Sequence, residues 1–277
     1  MPPFAERQGH IQERHPIVMK GTIMSVEIDL TGRCAIVTGA GSGIGREVAT
    51  LLARSGARVA AADVNEAAAK ETAAIIEQAG GTATAVTVDV RDPQRARDAV
   101  SATVEQLGGL DILVNNAAAW SVDLFKNLTY EQYQLDVGVT LIGTMVMTKA
   151  AYDHMREQKS GTVVNLISDA GRIGEPFLVS YSAAKGGVVG FTKAFAKEAG
   201  RYGIRCNAVS PGTTKTPGAS ALIEKWGGEE NLVKAYPLGR LGEPIDQANA
   251  ILFFCSDLSS WITGQILSVS GGYSMVD

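Results

Sequence analysis

Seven short runs of apolar, often β-branched residues recur along the chain: CAIVTGA (34–40), ARVAAADV (57–64), ATAVTVDV (83–90), DILVNNA (111–117), GTVVNLIS (161–168), IRCNAVS (204–210) and QILSVSG (265–271). Longer segments between them carry apolar residues at helical spacing. Near-continuous apolar strands imply burial on both faces, and so a parallel sheet covered by helices on each side. With right-handed crossovers, this predicts an α/β fold: a doubly wound, Rossmann-like, seven-stranded parallel sheet. Gly56, Gly80 with Gly81, and Gly108 with Gly109 stand where successive helices should stop. A single domain is expected over 28–277. Residues 1–27 mix prolines and charges without period and read as a disordered tail, with Met19 or Met24 as alternative starts.

Composition narrows the function classes. With 277 residues, 45% of them hydrophobic, the chain can bury one sizeable core. A net charge of −4, with both signs interspersed, offers no basic face to nucleic acid or an anionic membrane. No apolar stretch is long enough for a signal peptide or a membrane span, so a cytoplasmic location is expected. Cys34, Cys206 and Cys255 are far apart and odd in number, which fits small buried residues in a reducing compartment. His10, His15 and His154 form no ligand spacing, and no metal is expected.

VTGAGSGIGRE follows the first strand and opens the first helix. Glycine at 39, 43 and 45 lets the backbone approach a pyrophosphate, whose charge meets free amides and the positive end of a helix. Asp63 ends the second strand, 18 residues beyond Gly45, where a carboxylate can accept hydrogen bonds from ribose hydroxyls and repel a 2′-phosphate. Ser42 stands before Gly43, so no cation is offered to that phosphate, and NAD is the expected cofactor. An Asp63 that only caps the next helix is the plainer alternative.

SYSAAK places Tyr181 and Lys185 four residues apart, on one face of a helix. A free tyrosine, with a pKa near ~10, is a poor base at neutral pH. An ammonium ~4 Å away at an effective dielectric of ~20 would favour the phenolate by as much as ~4 kcal/mol. The pair therefore predicts an acidified phenol. Ser168 ends the fifth apolar run, 13 residues before Tyr181, at the carboxyl edge where such sheets bind ligands.

With the glycine loop, the strand-end serine and the Tyr/Lys pair in order, the chain from Leu30 to Met275 resembles the short-chain dehydrogenase/reductase superfamily. TGAGSGIG is similar to that family's cofactor loop, DILVNNA to its central strand, SYSAAK to its active-site helix and NAVSPGTTKT to its nicotinamide-side loop. The resemblance implies Tyr181 as acid/base, Lys185 as the cation that also holds the nicotinamide ribose, and Ser168 as partner of the substrate oxygen. It implies Gly39, Gly41, Ser42, Gly43, Ile44 and Gly45 at the pyrophosphate and Asp63 with Val64 at the adenosine ribose. Asp89 and Val90 fall at the adenine, Asn116 at the adenosine end, and Pro211, Gly212, Thr214 and Thr216 beside the nicotinamide. The implied reaction interconverts a secondary alcohol and a ketone on a small-molecule substrate. A homotetramer is implied too, with the Tyr/Lys helix and the preceding long helix at an interface.

Several positions depart from the pattern. Thr140 and Ala118 replace the usual asparagine and glycine, which leaves open a second reading, a catalytically weak NAD-binding scaffold or sensor. Asp169 is unusual after Ser168, and Arg172 three residues on suggests an ion pair. ISDAGRIG and WITGQILSVSGG look most like the 2-hydroxycyclohexanecarboxyl-CoA dehydrogenase branch. Residues 211–240 interrupt the alternation with a mixed apolar and charged helix, a lid at about 212–238. There Leu222, Trp226 and Tyr236 are candidates for an apolar wall, and Lys215 and Lys225 for contacts with an acidic tail.

Overall fold

The computed structural model describes residues 28–276, so the expected tail at 1–27 lies outside the described residues. All seven apolar runs form strands: β1 (Cys34–Thr38), β2 (Arg58–Asp63), β3 (Thr82–Thr87), β4 (Ile112–Asn115), β5 (Gly161–Leu166), β6 (Ile204–Pro211) and β7 (Ile266–Val269). They pair in parallel in the order β3-β2-β1-β4-β5-β6-β7. Except for IRCNAVS, which lies wholly within β6, each run extends one to three residues past its strand at one end or both, because the chain leaves the ladder into loops there.

Helices α1 (Gly43–Arg54), α2 (Glu66–Gln78), α3 (Pro93–Leu107), α4 (Tyr130–Val137), α5 (Gly143–Gln158), α6 (Ala170–Ile173) and α7 (Val179–Ala199) follow in turn. The chain closes through α8 (Ser220–Lys225), α9 (Glu229–Leu232) and α10 (Pro244–Cys255). Alternate residues of β1 enter opposite cores: Ala35 and Val37 meet a cluster with Val48 and Leu52 of α1 and Ile251 of α10. Cys34 and Ile36 join one with Val100 of α3 and Met147 and Met155 of α5. Each buried Leu or Ile contributes on the order of 1.5–3 kcal/mol, so the seven runs fold as a sheet filled on both sides.

Helix ends are written locally. Asp92 accepts from the Gln94 and Arg95 amides ahead of Pro93, and α3 stops at Gly108, whose φ of +83° suits glycine. The expected single lid helix is instead α8 and α9, broken at Gly227 and Gly228, which take φ of +91° and +85°.

Strand order reverses between β1 and β4, which opens a crevice at the carboxyl ends of the strands. A polar network fixes the helices beside it. Asn115 on β4 donates to Thr148 of α5 and Asn165 of β5, each at 2.9 Å, and Asn165 donates to Thr192 of α7 at 2.9 Å. These bonds lie between buried side chains, so they hold α7 in one orientation over the sheet.

Candidate active site

A cleft of about 530 Å³ runs along this edge from Asp63, Val64 and Asp89 to Trp226 and Tyr273. At one end the loop between β1 and α1 is drawn tight. A Cβ on Gly45 would lie 2.1 Å from the Gly39 carbonyl, so only glycine lets the loop close. The Asn116 amide donates to the Thr38 and Gly39 carbonyls at 2.8 and 3.1 Å, tying the loop to β4 and spending the group on loop geometry. Asp63 accepts from the Gly41 and Asn65 amides, both at 2.9 Å. Asn65, not Asp63, caps α2 through the Ala68 amide, which removes the plainer reading of that carboxylate. Arg46 is turned to Glu71 at 2.6 Å and to the Gly41 carbonyl. Val64 forms an exposed lip, and Val90 is buried beneath the cleft. The Arg91 guanidinium, hydrogen-bonded to Asp89, holds that carboxyl below the usual carboxylate range.

At the other end, Ser168 follows β5, while Tyr181 and Lys185 project from α7 into the same cleft. Lys185 is only 2% exposed, and its Nζ donates to the Leu166 carbonyl and lies 5.6 Å from the Tyr181 ring centroid. The side chains share one face as expected, but the expected acidification of the phenol is not what the protein alone produces. Burial raises the Tyr181 pKa, a hydrogen bond with Ser168 opposes the rise, and the charge of Asp136 adds to it. Burial also lowers Lys185 to about 7. Both groups are thus biased toward neutrality, because desolvation of this pocket outweighs the attraction on which the sequence estimate relied. Trp120 sets its ring edge-on to Tyr181 at 6.0 Å.

A family model described as enoyl-(acyl carrier protein) reductase matches residues 39–274. The chain belongs to the short-chain dehydrogenase/reductase superfamily. A 3-oxoacyl-[acyl-carrier-protein] reductase of Thermotoga maritima is 36% identical over 243 residues, covering 88% of this chain and 98% of that protein. A 2,5-dichloro-2,5-cyclohexadiene-1,4-diol dehydrogenase of Sphingobium indicum is 36% identical over 251 residues, covering 90% and 99%. The crystal structure of a short-chain type dehydrogenase/reductase from Mycobacterium marinum superposes with a TM-score of 0.85 at 33% identity, covering 90% and 98%. This short-chain enzyme is therefore an oxidoreductase of the alcohol dehydrogenase/ketone reductase type, and superfamily members of this kind use NAD(P).

Thr140, which departs from the family pattern, is tied to the backbone of the neighbouring loop. It lies in a π-turn (Gly138–Ile142) between α4 and α5, fully buried, where its hydroxyl accepts from the Ala119 amide at 3.1 Å and donates to the Ala119 carbonyl at 3.0 Å. The loop holding Ala118 is thereby pinned. Asp169 forms no ion pair with Arg172: its buried carboxylate takes the hydroxyls of Ser210 at 2.6 Å and Ser268 at 2.9 Å, while Arg172 reaches the Val276 carbonyl. Hydroxyl donors from β6 and β7 lie closer than a guanidinium on the far side of a one-turn helix.

The lid brings Leu222 and Trp226 to the cleft but turns Tyr236 behind it, where its hydroxyl accepts from the Thr213 amide at 2.8 Å. Lys215 bridges Glu229 and Glu243, Lys225 donates to the Val122 carbonyl at 2.9 Å, and neither lysine lines the cleft. Pro211, Gly212, Thr214 and Thr216 all border the cleft, with the Thr214 hydroxyl turned inward to Gly212 and Gln247. Sequence reasoning missed Trp120, Glu175, Tyr273 and Asp136. Trp120, Glu175 and Tyr273 come just after DILVNNA, ISDAGRIG and WITGQILSVSGG, which mark their stretches of chain without indicating their place in the cleft; Asp136 sits on α4, four residues before Thr140.

Proposed function

We propose that this enzyme interconverts a secondary alcohol and a ketone with NAD, using Tyr181 as acid/base, Lys185 as its partner and Ser168 as the holder of the reacting oxygen. The observation that carries this reading is one cleft lined by all three residues, the glycine loop and Asp63. The residues suit the cofactor: the loop around Gly45 has no room for a side chain, and Asp63 offers an accepting carboxylate where no unpaired arginine waits for a 2′-phosphate. NAD, when bound, supplies the hydride acceptor and a cationic ring in the cleft. Ser168 orients the substrate oxygen, and Tyr181 takes its proton in oxidation or returns it in reduction. Lys185 donates to the Leu166 carbonyl and is placed to steady the phenolate once charge arrives.

NAD reduction measured over a panel of cyclic secondary alcohols tests the reaction, and binding without hydride transfer would favour the scaffold reading instead. The cofactor choice rests on Asp63. Asp63→Ala should lower the ratio of kcat/KM for NAD over NADP by at least about tenfold, the worth of one charge-assisted hydrogen bond. An unchanged ratio would place the preference elsewhere. We further propose a cytoplasmic homotetramer; no helix among the described residues is long and apolar enough to cross a membrane.

A further inference from the structure

The substrate end of the cleft has a charge balance that no motif announces. Trp120, Leu178, Leu222 and Trp226 give it apolar walls, and Glu175 and Tyr273 close one side. Among the described residues lining this end, Lys185 is the one cation, and it is committed to Leu166. Asp169 is committed as well, to Ser210 and Ser268. Glu175 differs. The Tyr273 hydroxyl donates to its Oε1 at 2.5 Å, and no hydrogen bond among the described residues reaches Oε2. Tyr273 is itself fixed by stacking on Tyr236, with centroids 5.0 Å apart. The carboxyl group is therefore held in place with one oxygen left to accept.

We propose that Glu175, oriented by Tyr273, is a specificity-determining residue that accepts a hydrogen bond from a second hydroxyl of the substrate. The enzyme then selects an uncharged, hydroxyl-rich alcohol or ketone over a simple alcohol and over a substrate with an anionic tail. Three observations point the same way. An anionic group entering this end meets a carboxylate and, beyond the committed Lys185, no lysine or arginine, because neither Lys215 nor Lys225 lines the cleft. Burial and the nearby Asp169 raise the Glu175 pKa, a setting that suits a neutral hydroxyl partner. The flat apolar walls suit the carbon face of a ring.

This inference rests on the hydride-transfer reading of the cleft, and the experiment separates the two. kcat/KM is measured for wild type, Glu175→Leu and Glu175→Gln with cyclohexanol, a vicinal cyclohexanediol, an aminocyclohexanol and a hydroxycyclohexanecarboxylate. Wild type should favour the diol over cyclohexanol by at least about tenfold, the scale of one hydrogen bond to a charged group. Glu175→Leu should erase that ratio, and Glu175→Gln, which keeps an acceptor oxygen, should retain part of it. Should the leucine variant not fold, a reduced ratio in the glutamine variant carries the same conclusion. A ratio unchanged in both variants overturns the subsite, as does a wild-type preference for the carboxylate or the amine. If cyclohexanol is oxidised and only the diol preference is missing, the subsite alone falls; if wild type oxidises none of the four, the hydride-transfer reading falls with it.

Discussion

Lys185 lies buried on α7, one helical turn after Tyr181. Its spacing from Tyr181 places both on one helix face, and the structure keeps them there. Spacing says nothing of how dry that face is, and dryness moves the lysine to about 7. The unfolded lysine keeps its proton to about 10.5, so between pH 7 and 9 unfolding takes up a proton and stability rises with pH. Cys206, Cys255 and Tyr181, all raised by burial, oppose this only above about pH 9. Without cofactor, the unfolding free energy of wild type minus that of Lys185→Met should therefore grow by on the order of 2 kcal/mol across that window. Urea titrations at the two pH values measure it, and a flat difference would mean the lysine stays charged when buried. Asp169 teaches the same lesson. Sequence proximity offered Arg172, whereas Ser210 and Ser268 come from strands 41 and 99 residues away.

At the scale of elements, the seven strands were legible because β-branched apolar runs bounded by glycine have few other uses in a chain of this size. Less legible were places where one residue changes a path. The π-turn at Gly138–Ile142 adds a residue to a helical stretch whose apolar period hardly registers it, and it is this turn that buries Thr140. Two adjacent glycines split the lid in the same unobtrusive way. The pinning of the Ala119 loop is open to test. Thr140→Val keeps the shape but strands the Ala119 amide and carbonyl, at a cost of about 1–3 kcal/mol for an unsatisfied buried group. A thermal melt should show that loss together with a raised KM for substrate; an unaltered melt would show that water replaces the hydroxyl.

Across the reversal of strand order, one cleft joins the glycine-loop end to the Tyr181 end, and the candidate site was readable because that reversal collects motif residues next to β1, β2 and β5 and on α7. Glu175 and Tyr273 directly follow ISDAGRIG and WITGQILSVSGG, but no spacing in those stretches pairs them, and Asp136 meets Ser180 across 44 residues, so these contacts emerge only in three dimensions. The outer faces of α5 and α7 leave apolar side chains such as Met145 and Val179 exposed. If these faces build the proposed tetramer, Met145→Glu should shift sedimentation toward smaller species, whereas an unchanged profile would move the interface elsewhere. The central claim is that Tyr181 handles the proton while the rest of the cleft binds and orients. Its most direct test is Tyr181→Phe, with NADH affinity and turnover measured on the same preparation. Affinity within about twofold of wild type with turnover lower by several orders of magnitude is the predicted result; substantial turnover in that variant would contradict it.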